Sequence, residues 1–182
     1  MTDQKTPIRI LHLEDSSRDA GLIRDLLDAE GGTYEIIHAA TRKHFEAALE
    51  QPGFHLILCD FNLPDFDGLS ALKLAKARYP ETPVIIVSGA IDAEEAGACL
   101  KSGATDYLLK QRLERLPSAV QRALVEAEEH RERTRAQQAL RESEERFRQL
   151  AENVNEVFWL RDSVKCQMVY ISPAYEAIWG RT

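Results

Sequence analysis

Glu14, Asp15, Asp60, Ser88 and Lys110 could do chemistry together, because each closes an apolar run of the chain. The runs are Ile8-Arg9-Ile10-Leu11-His12-Leu13, Leu56-Ile57-Leu58-Cys59, Val84-Ile85-Ile86-Val87 and Tyr107-Leu108-Leu109. Three carboxylates, a hydroxyl and an ammonium, once gathered, make a divalent-metal and phosphoryl site. Asp60 is the candidate nucleophile, since a carboxylate can attack phosphorus to give an aspartyl phosphate. Two anions repel, so the attack needs charge neutralisation. Mg²⁺ is the natural agent, hard and oxygen-liganded, with Mn²⁺ able to substitute; Asp15 and Asp60 would ligate directly and Glu14 through water. Lys110 would place a positive charge on the phosphoryl oxygens and Ser88 a hydroxyl hydrogen bond, while Gly89 and Ala90 leave room for backbone N–H groups to reach the same oxygens. Singly, each residue has an ordinary explanation as a turn, a cap or a solvated charge. Their ordered recurrence at strand ends does not.

What must position them is a parallel sheet. Short continuous apolar runs alternating with helical patterns read as buried parallel strands, and residues just past such strands collect on one edge, where ligands bind. Ser16-Ser17 caps a first helix with Ala20, Leu22-Ile23 and Leu26-Leu27 at helical spacing, and Gly31-Gly32 ends it. Tyr34 to Ala39 is a second strand, and Thr41 caps a helix carrying Phe45, Ala48 and Leu49. The turn-rich stretch Asn62 to Gly68 precedes a helix from Leu69 to Tyr79, and Ala93 to Lys101 is a fourth helix with Gly103 past its end. Leu113, Leu116, Val120 and Leu124 repeat at three and four, predicting a fifth.

That helix is expected to continue. From Glu126 to Gln149 charges of both signs interleave without Gly or Pro, which favours helix over a disordered linker. Leu140, Phe147, Leu150 and Val154 form a seven-residue alternation out of register with Val120, Leu124 and Ala127. A register shift inside a two-chain coiled coil accounts for this, so a homodimer through the linker helix is expected, with a lone exposed helix as the alternative.

The 182 residues suffice for one α/β domain and an appendage, and a net charge of −7 argues against a nucleic-acid partner. Cys59, Cys99 and Cys166 lack any C-x-x-C pairing and read as reduced thiols packed as small apolar groups. No signal segment or membrane span is evident, so a cytoplasmic chain with no membrane partner is expected. His12 and His38, inside strands, are expected to be packed, and His130 to lie on a solvated helix face.

The stretches Leu13-Glu14-Asp15, Asp60-Phe61-Asn62-Leu63-Pro64-Asp65-Phe66-Asp67-Gly68, Val87-Ser88-Gly89-Ala90 and Gly103-Ala104-Thr105-Asp106-Tyr107-Leu108-Leu109-Lys110 resemble the receiver domains of bacterial two-component response regulators. The resemblance implies an α/β, (βα)₅ flavodoxin-like fold with strand order 2-1-3-4-5. It implies Mg²⁺-dependent phosphorylation of Asp60 by a histidine kinase or phosphotransfer protein. It also implies the backbone carbonyl of Asn62 as a third protein ligand to the metal, and Ser88 with Tyr107 as a switch pair. One departure is Gln111, where the family has a cis-linked proline; cis costs about 2.5–4 kcal/mol for other residues. Gly89 for the commoner Ala is a second, loosening access to the phosphoryl group.

The segment from Glu144 to Gly180, with Tyr170-Ile171-Ser172-Pro173-Ala174-Tyr175, resembles the beginning of a PAS sensor domain. The expected organisation is a receiver over 1–124, a helical coiled-coil linker over 125–150 and an incomplete PAS segment over 151–182. Residues from about 155 onward are too few to bury a core alone, as segments below about 40 residues rarely do, and should lean on the preceding helix or a partner chain. The receiver would catalyse only its own phosphorylation and dephosphorylation. An Asp-nucleophile phosphatase or hydrolase is the alternative, although the haloacid dehalogenase type wants an acid where Asn62 stands. A pseudo-receiver serving as a dimerisation scaffold is the other.

Overall fold

The apolar runs become strands because both of their faces are covered. In the computed structural model, which describes residues 7–64, 66–90, 93–153, 156–172 and 174–180, β1 (Ile8–Leu13), β2 (Tyr34–Ala39), β3 (Leu56–Asp60), β4 (Val84–Ser88) and β5 (Asp106–Leu109) form a parallel sheet of order β2-β1-β3-β4-β5. Asp65 of the turn motif, Val154 of the helix stripe and Pro173 lie outside the described residues. β3 and β4 are buried along their whole length, whereas the edge strands β2 and β5 show partly exposed positions. Central strands therefore read as unbroken apolar runs and edge strands as mixed ones.

Period-two alternation divides the core. Leu11, Leu13, Ile57, Cys59, Val84 and Ile86 face α2 (Arg42–Leu49), α3 (Gly68–Arg78) and α4 (Ala93–Lys101), through Phe45, Leu49, Leu72, Ala75 and Cys99. Ile10, Leu56, Leu58, Ile85, Val87 and Leu108 face α1 (Ser17–Ala29) and α5 (Leu116–Asn153), through Ile23, Leu27, Leu116, Ala119, Val120 and Ala123. Two helix starts are capped as expected, Ser16 Oγ accepting the Asp19 N–H at 3.2 Å and Thr41 Oγ1 the His44 N–H at 3.3 Å, and Asp67 Oδ1 caps α3 by accepting the Ser70 N–H at 2.8 Å. The Ser16 and Thr41 caps begin helices within a few residues of the ends of β1 and β2 and so help fix the edge that carries the polar residues. Gly103 adopts φ +97° and turns the chain from α4 toward β5.

Three readings need correction. The fifth helix does not follow β5 directly; a 3₁₀ turn, Lys110–Arg115, comes first, and Pro117 sits in the first turn of α5, where its missing N–H costs nothing. His38 is exposed rather than packed, because β2 is an edge strand. Cys166 is exposed at the tip of a hairpin with φ +52°, unlike the buried thiols of Cys59 and Cys99.

The chain divides into two units, the first ending at Arg131 and the second beginning at Glu132, a boundary inside the 38-residue α5. The second unit holds the end of α5, the antiparallel pair β6 (Trp159–Arg161) and β7 (Met168–Ile171), and α6 (Ala174–Trp179). Tyr170 of β7 packs edge-on against Phe147 of α5 at 5.4 Å between ring centroids. Ser172 Oγ accepts the Phe158 N–H and donates to the Glu156 carbonyl, each at 3.1 Å. The hairpin thus leans on the preceding helix, as its size requires.

His12 of β1 is packed as expected, 1% exposed, with neither ring nitrogen hydrogen-bonded. Burial lowers its pKa to about 3, helped by His38, Lys110 and Arg24 and opposed by Asp19. The folded state thus prefers the neutral ring, and the stability this contributes is present above the ordinary value near 6.5 and lost as pH falls toward 3. A His12→Leu chain should therefore lose less stability than wild type between pH 7 and 4. Parallel melting-temperature curves for the two would contradict this.

Candidate functional site

The strand ends bring the sequence candidates together. Asp60, the last residue of β3, is 3% exposed and Glu14, just past β1, is fully buried, while Asp15 beside it faces solvent. One oxygen from each of Glu14, Asp15 and Asp60 lies within 4.8 Å of the others. Three hard carboxylate oxygens at that spacing, one solvent-facing and two buried, fit a small divalent cation with room for water on the open side.

Lys110, first residue of the 3₁₀ turn after β5, reaches into this cluster. Its Nζ donates to Asp60 Oδ2 at 2.9 Å and to Asp19 Oδ2 at 2.7 Å. It also pairs with Glu14 Oε2 at 2.8 Å, in an alignment short of a directed hydrogen bond. Glu14 Oε1 accepts the Ser16 N–H at 3.1 Å. Burial raises the Glu14 pKa to about 7, with Asp60 adding to the rise, against the pull of Lys110 and Ser16. Burial works against the Lys110 ammonium, but its bonds to Asp19, Glu14 and Asp60 outweigh that and hold its pKa above the usual lysine value. A buried carboxyl titrating near neutrality, beside a captive ammonium, is what a site short of positive charge looks like.

The rest of the edge is built from close approaches. Asp60 Oδ1 accepts the Asn62 N–H at 3.2 Å as the chain turns away from β3. A Cβ on Gly68 would lie 2.6 Å from Phe61 Cα and 3.1 Å from the Asp60 carbonyl oxygen, so only glycine lets α3 start against the end of β3. Ser88 is buried at the end of β4; its hydroxyl donates to the Ala90 carbonyl at 2.9 Å, and Asn62 Nδ2 donates to both at 3.3 Å. A Cβ at Gly89 would meet nothing within 4 Å, so that position leaves open space beside Ser88. Tyr107 is 38% exposed on β5. Gln111 bonds instead through its side chain, donating to the Gly89 carbonyl and tying the lysine's turn to the loop after β4; among the described residues there is no cis peptide bond.

Asp19 is the member that sequence reasoning missed. It stands in the first turn of α1, where an acid is ordinarily explained by the helix macrodipole. Nothing local to it signals a contact with a residue 91 positions away.

A family model described as the response regulator receiver domain matches residues 10–121. Transcriptional regulatory protein ZraR of Salmonella typhimurium is 32% identical over 123 residues, covering 67% of this chain and 27% of the relative. The DNA-binding transcriptional regulator NtrC of Proteus hauseri is 36% identical over 92 residues, covering 50% of this chain and 19% of NtrC. The chain thus spans about a quarter or less of these curated relatives. Among solved structures, a CheY-like response regulator receiver domain protein from Methanospirillum hungatei superposes with TM-score 0.63 at 30% identity, over 69% of this chain and 99% of that one. The beryllofluoride-activated NtrC4 receiver domain dimer superposes with TM-score 0.60 at 27% identity, over 65% and 98%.

Proposed function

The chain belongs to the response regulator receiver family, and we propose that it accepts a phosphoryl group on Asp60 from a histidine kinase or phosphotransfer protein. The observation that carries this is the gathering of Glu14, Asp15 and Asp60 with Lys110 at one sheet edge. In the step, an Asp60 carboxylate oxygen forms a bond to phosphorus as the bond from phosphorus to the donor's leaving group breaks. Glu14, Asp15, Asp60 and the Asn62 carbonyl would hold Mg²⁺. When bound, the cation neutralises charge on the phosphoryl oxygens and the carboxylates. Lys110 then places its ammonium against a phosphoryl oxygen, and the backbone N–H groups of Gly89 and Ala90 approach the others.

Ser88 couples the site to the rest of the fold. Its hydroxyl, spent on the Ala90 carbonyl at 2.9 Å, would turn to the phosphoryl group and draw the loop after β4 inward. Tyr107, now exposed, would follow into the space this vacates and alter the face of α4, β5 and α5. We assign residues 1–124 to the receiver, 125–150 to a linker and 151–182 to a partial PAS segment that receives the signal. The support is α5, which runs unbroken from the receiver into the second unit, and the antiparallel pair with its short helix beyond. Dimerisation through α5 is supported by Leu140, Phe147 and Leu150, which are 60%, 42% and 63% exposed. Among the described residues, no helix is long and apolar enough to cross a membrane.

The test is incubation of the chain with acetyl phosphate, with and without Mg²⁺, followed by intact-mass analysis and mapping. One phosphoryl group should be gained only with Mg²⁺, on Asp60, and none by Asp60→Asn. Uptake without metal, or at another residue, would overturn the assignment.

A further inference from the structure

We propose that Asp19 is a positioning residue for Lys110, keeping the ammonium beside Asp60 when a cation occupies the oxygens of Glu14, Asp15 and Asp60. The proposal rests on the reading of Asp60 as phosphoacceptor. Of the three N–H donors of its ammonium, Lys110 gives hydrogen bonds to Asp19 (2.7 Å) and Asp60 (2.9 Å), and it lies 2.8 Å from Glu14 Oε2 as an ion pair. Glu14 and Asp60 belong to the three-carboxylate cluster; Asp19 does not. A divalent cation in that cluster repels the lysine and competes for both shared carboxylates. Asp19 is the remaining partner, and its hold does not depend on the metal being absent.

Asp19 is itself well fixed. Its backbone N–H is tied to the Ser16 hydroxyl at 3.2 Å, and α1 begins just beyond the Glu14-Asp15 pair. A single short stretch of chain therefore sets where the metal-facing carboxylates and the lysine's anchor stand. On the other side, the Gln111 side chain ties the residue after the lysine to the Gly89 carbonyl. The lysine is held at its amine by α1 and through its backbone by the loop after β4, with the Asp60 carboxylate between.

Phosphoryl uptake from acetyl phosphate across a Mg²⁺ titration, in the full chain, tests this on wild type, Asp19→Asn, Asp19→Glu, Lys110→Met and the Asp19→Asn/Lys110→Met pair. Loss of an orienting partner should lower the rate at saturating Mg²⁺ roughly tenfold, leaving the Mg²⁺ concentration for half-maximal rate unchanged. Asp19→Glu should recover part of the loss, and the double variant should be no slower than Lys110→Met alone. In ¹⁵N-lysine-labelled protein saturated with Mg²⁺, a slowly exchanging Lys110 ammonium should be visible in wild type and lost in Asp19→Asn. A wild-type rate and a retained ammonium signal in Asp19→Asn would overturn this proposal alone. So would a change confined to half-saturating Mg²⁺, or an equal loss in the Lys110→Met background. A wild-type chain that takes up no phosphoryl group would overturn the Asp60 assignment and this proposal with it.

Discussion

Lys110→Met is expected to remove about 3–5 kcal/mol of folding stability in metal-free buffer at pH 8, the range for breaking a buried ion pair by deleting one partner. Methionine keeps the stem as far as Cε, so packing is largely preserved and what is lost is chiefly the ammonium. What remains is a fully buried Glu14 and an Asp60 that is 3% exposed, with Asp19 close by and no cation between them. Such a cluster relieves itself by taking up protons rather than by enduring the repulsion. The loss should therefore shrink at pH 5.5, where Glu14, already held up to about 7, carries a proton in either chain. The ammonium's own pKa is raised, so its stabilisation is present at both pH values and lost only above the ordinary lysine range. Urea unfolding of both chains at the two pH values measures this. A loss below about 1 kcal/mol, typical of solvated pairs, or one equal at both pH values, would mean that the cluster is screened by solvent.

The same cluster shows what a sequence can disclose. Buried parallel strands are legible because both faces must be apolar, so Leu56 to Asp60 and Val84 to Ser88 stand out as runs ended by a polar residue. Sheet order then brings Glu14, Asp60, Ser88 and Lys110 to one edge. Asp19 was not legible, since its contact with Lys110 depends on how far a lysine side chain reaches across that edge to α1. His38 was misread because an apolar run does not tell an edge strand from a central one, and β2 lies at the edge. The 3₁₀ turn was missed for a similar reason: Leu113 and Leu116 fit a helical repeat, while the non-helical backbone of Arg112 (φ −130°, ψ 39°) carries no residue signature. The long helix was legible from composition alone, where residues 132–150 are exposed throughout and charge patterning replaces packing.

Mg²⁺ should stabilise the chain, and by more at pH 8 than at pH 5.5. Glu14 has its folded pKa raised to about 7 from an ordinary value of 4.5, so between those values the native state binds more protons than the unfolded one. In metal-free buffer this group's contribution is fully present below 4.5 and lost as pH rises through 7. A divalent cation in the Glu14, Asp15 and Asp60 cluster supplies the charge that the lost proton no longer cancels, and it binds only the folded chain. At a concentration about a hundred times its dissociation constant it should add about 2.7 kcal/mol. At pH 5.5 proton and cation compete for the same oxygens, so the dissociation constant rises and the gain falls. Asp15→Asn separates this from a general ionic effect, because Asp15 is exposed and bears on the fold chiefly through the cation. Its metal-free melting temperature should stay near wild type while most of the Mg²⁺ shift disappears. A shift of equal size at both pH values, or one that survives in Asp15→Asn, would place the cation elsewhere on this acidic chain.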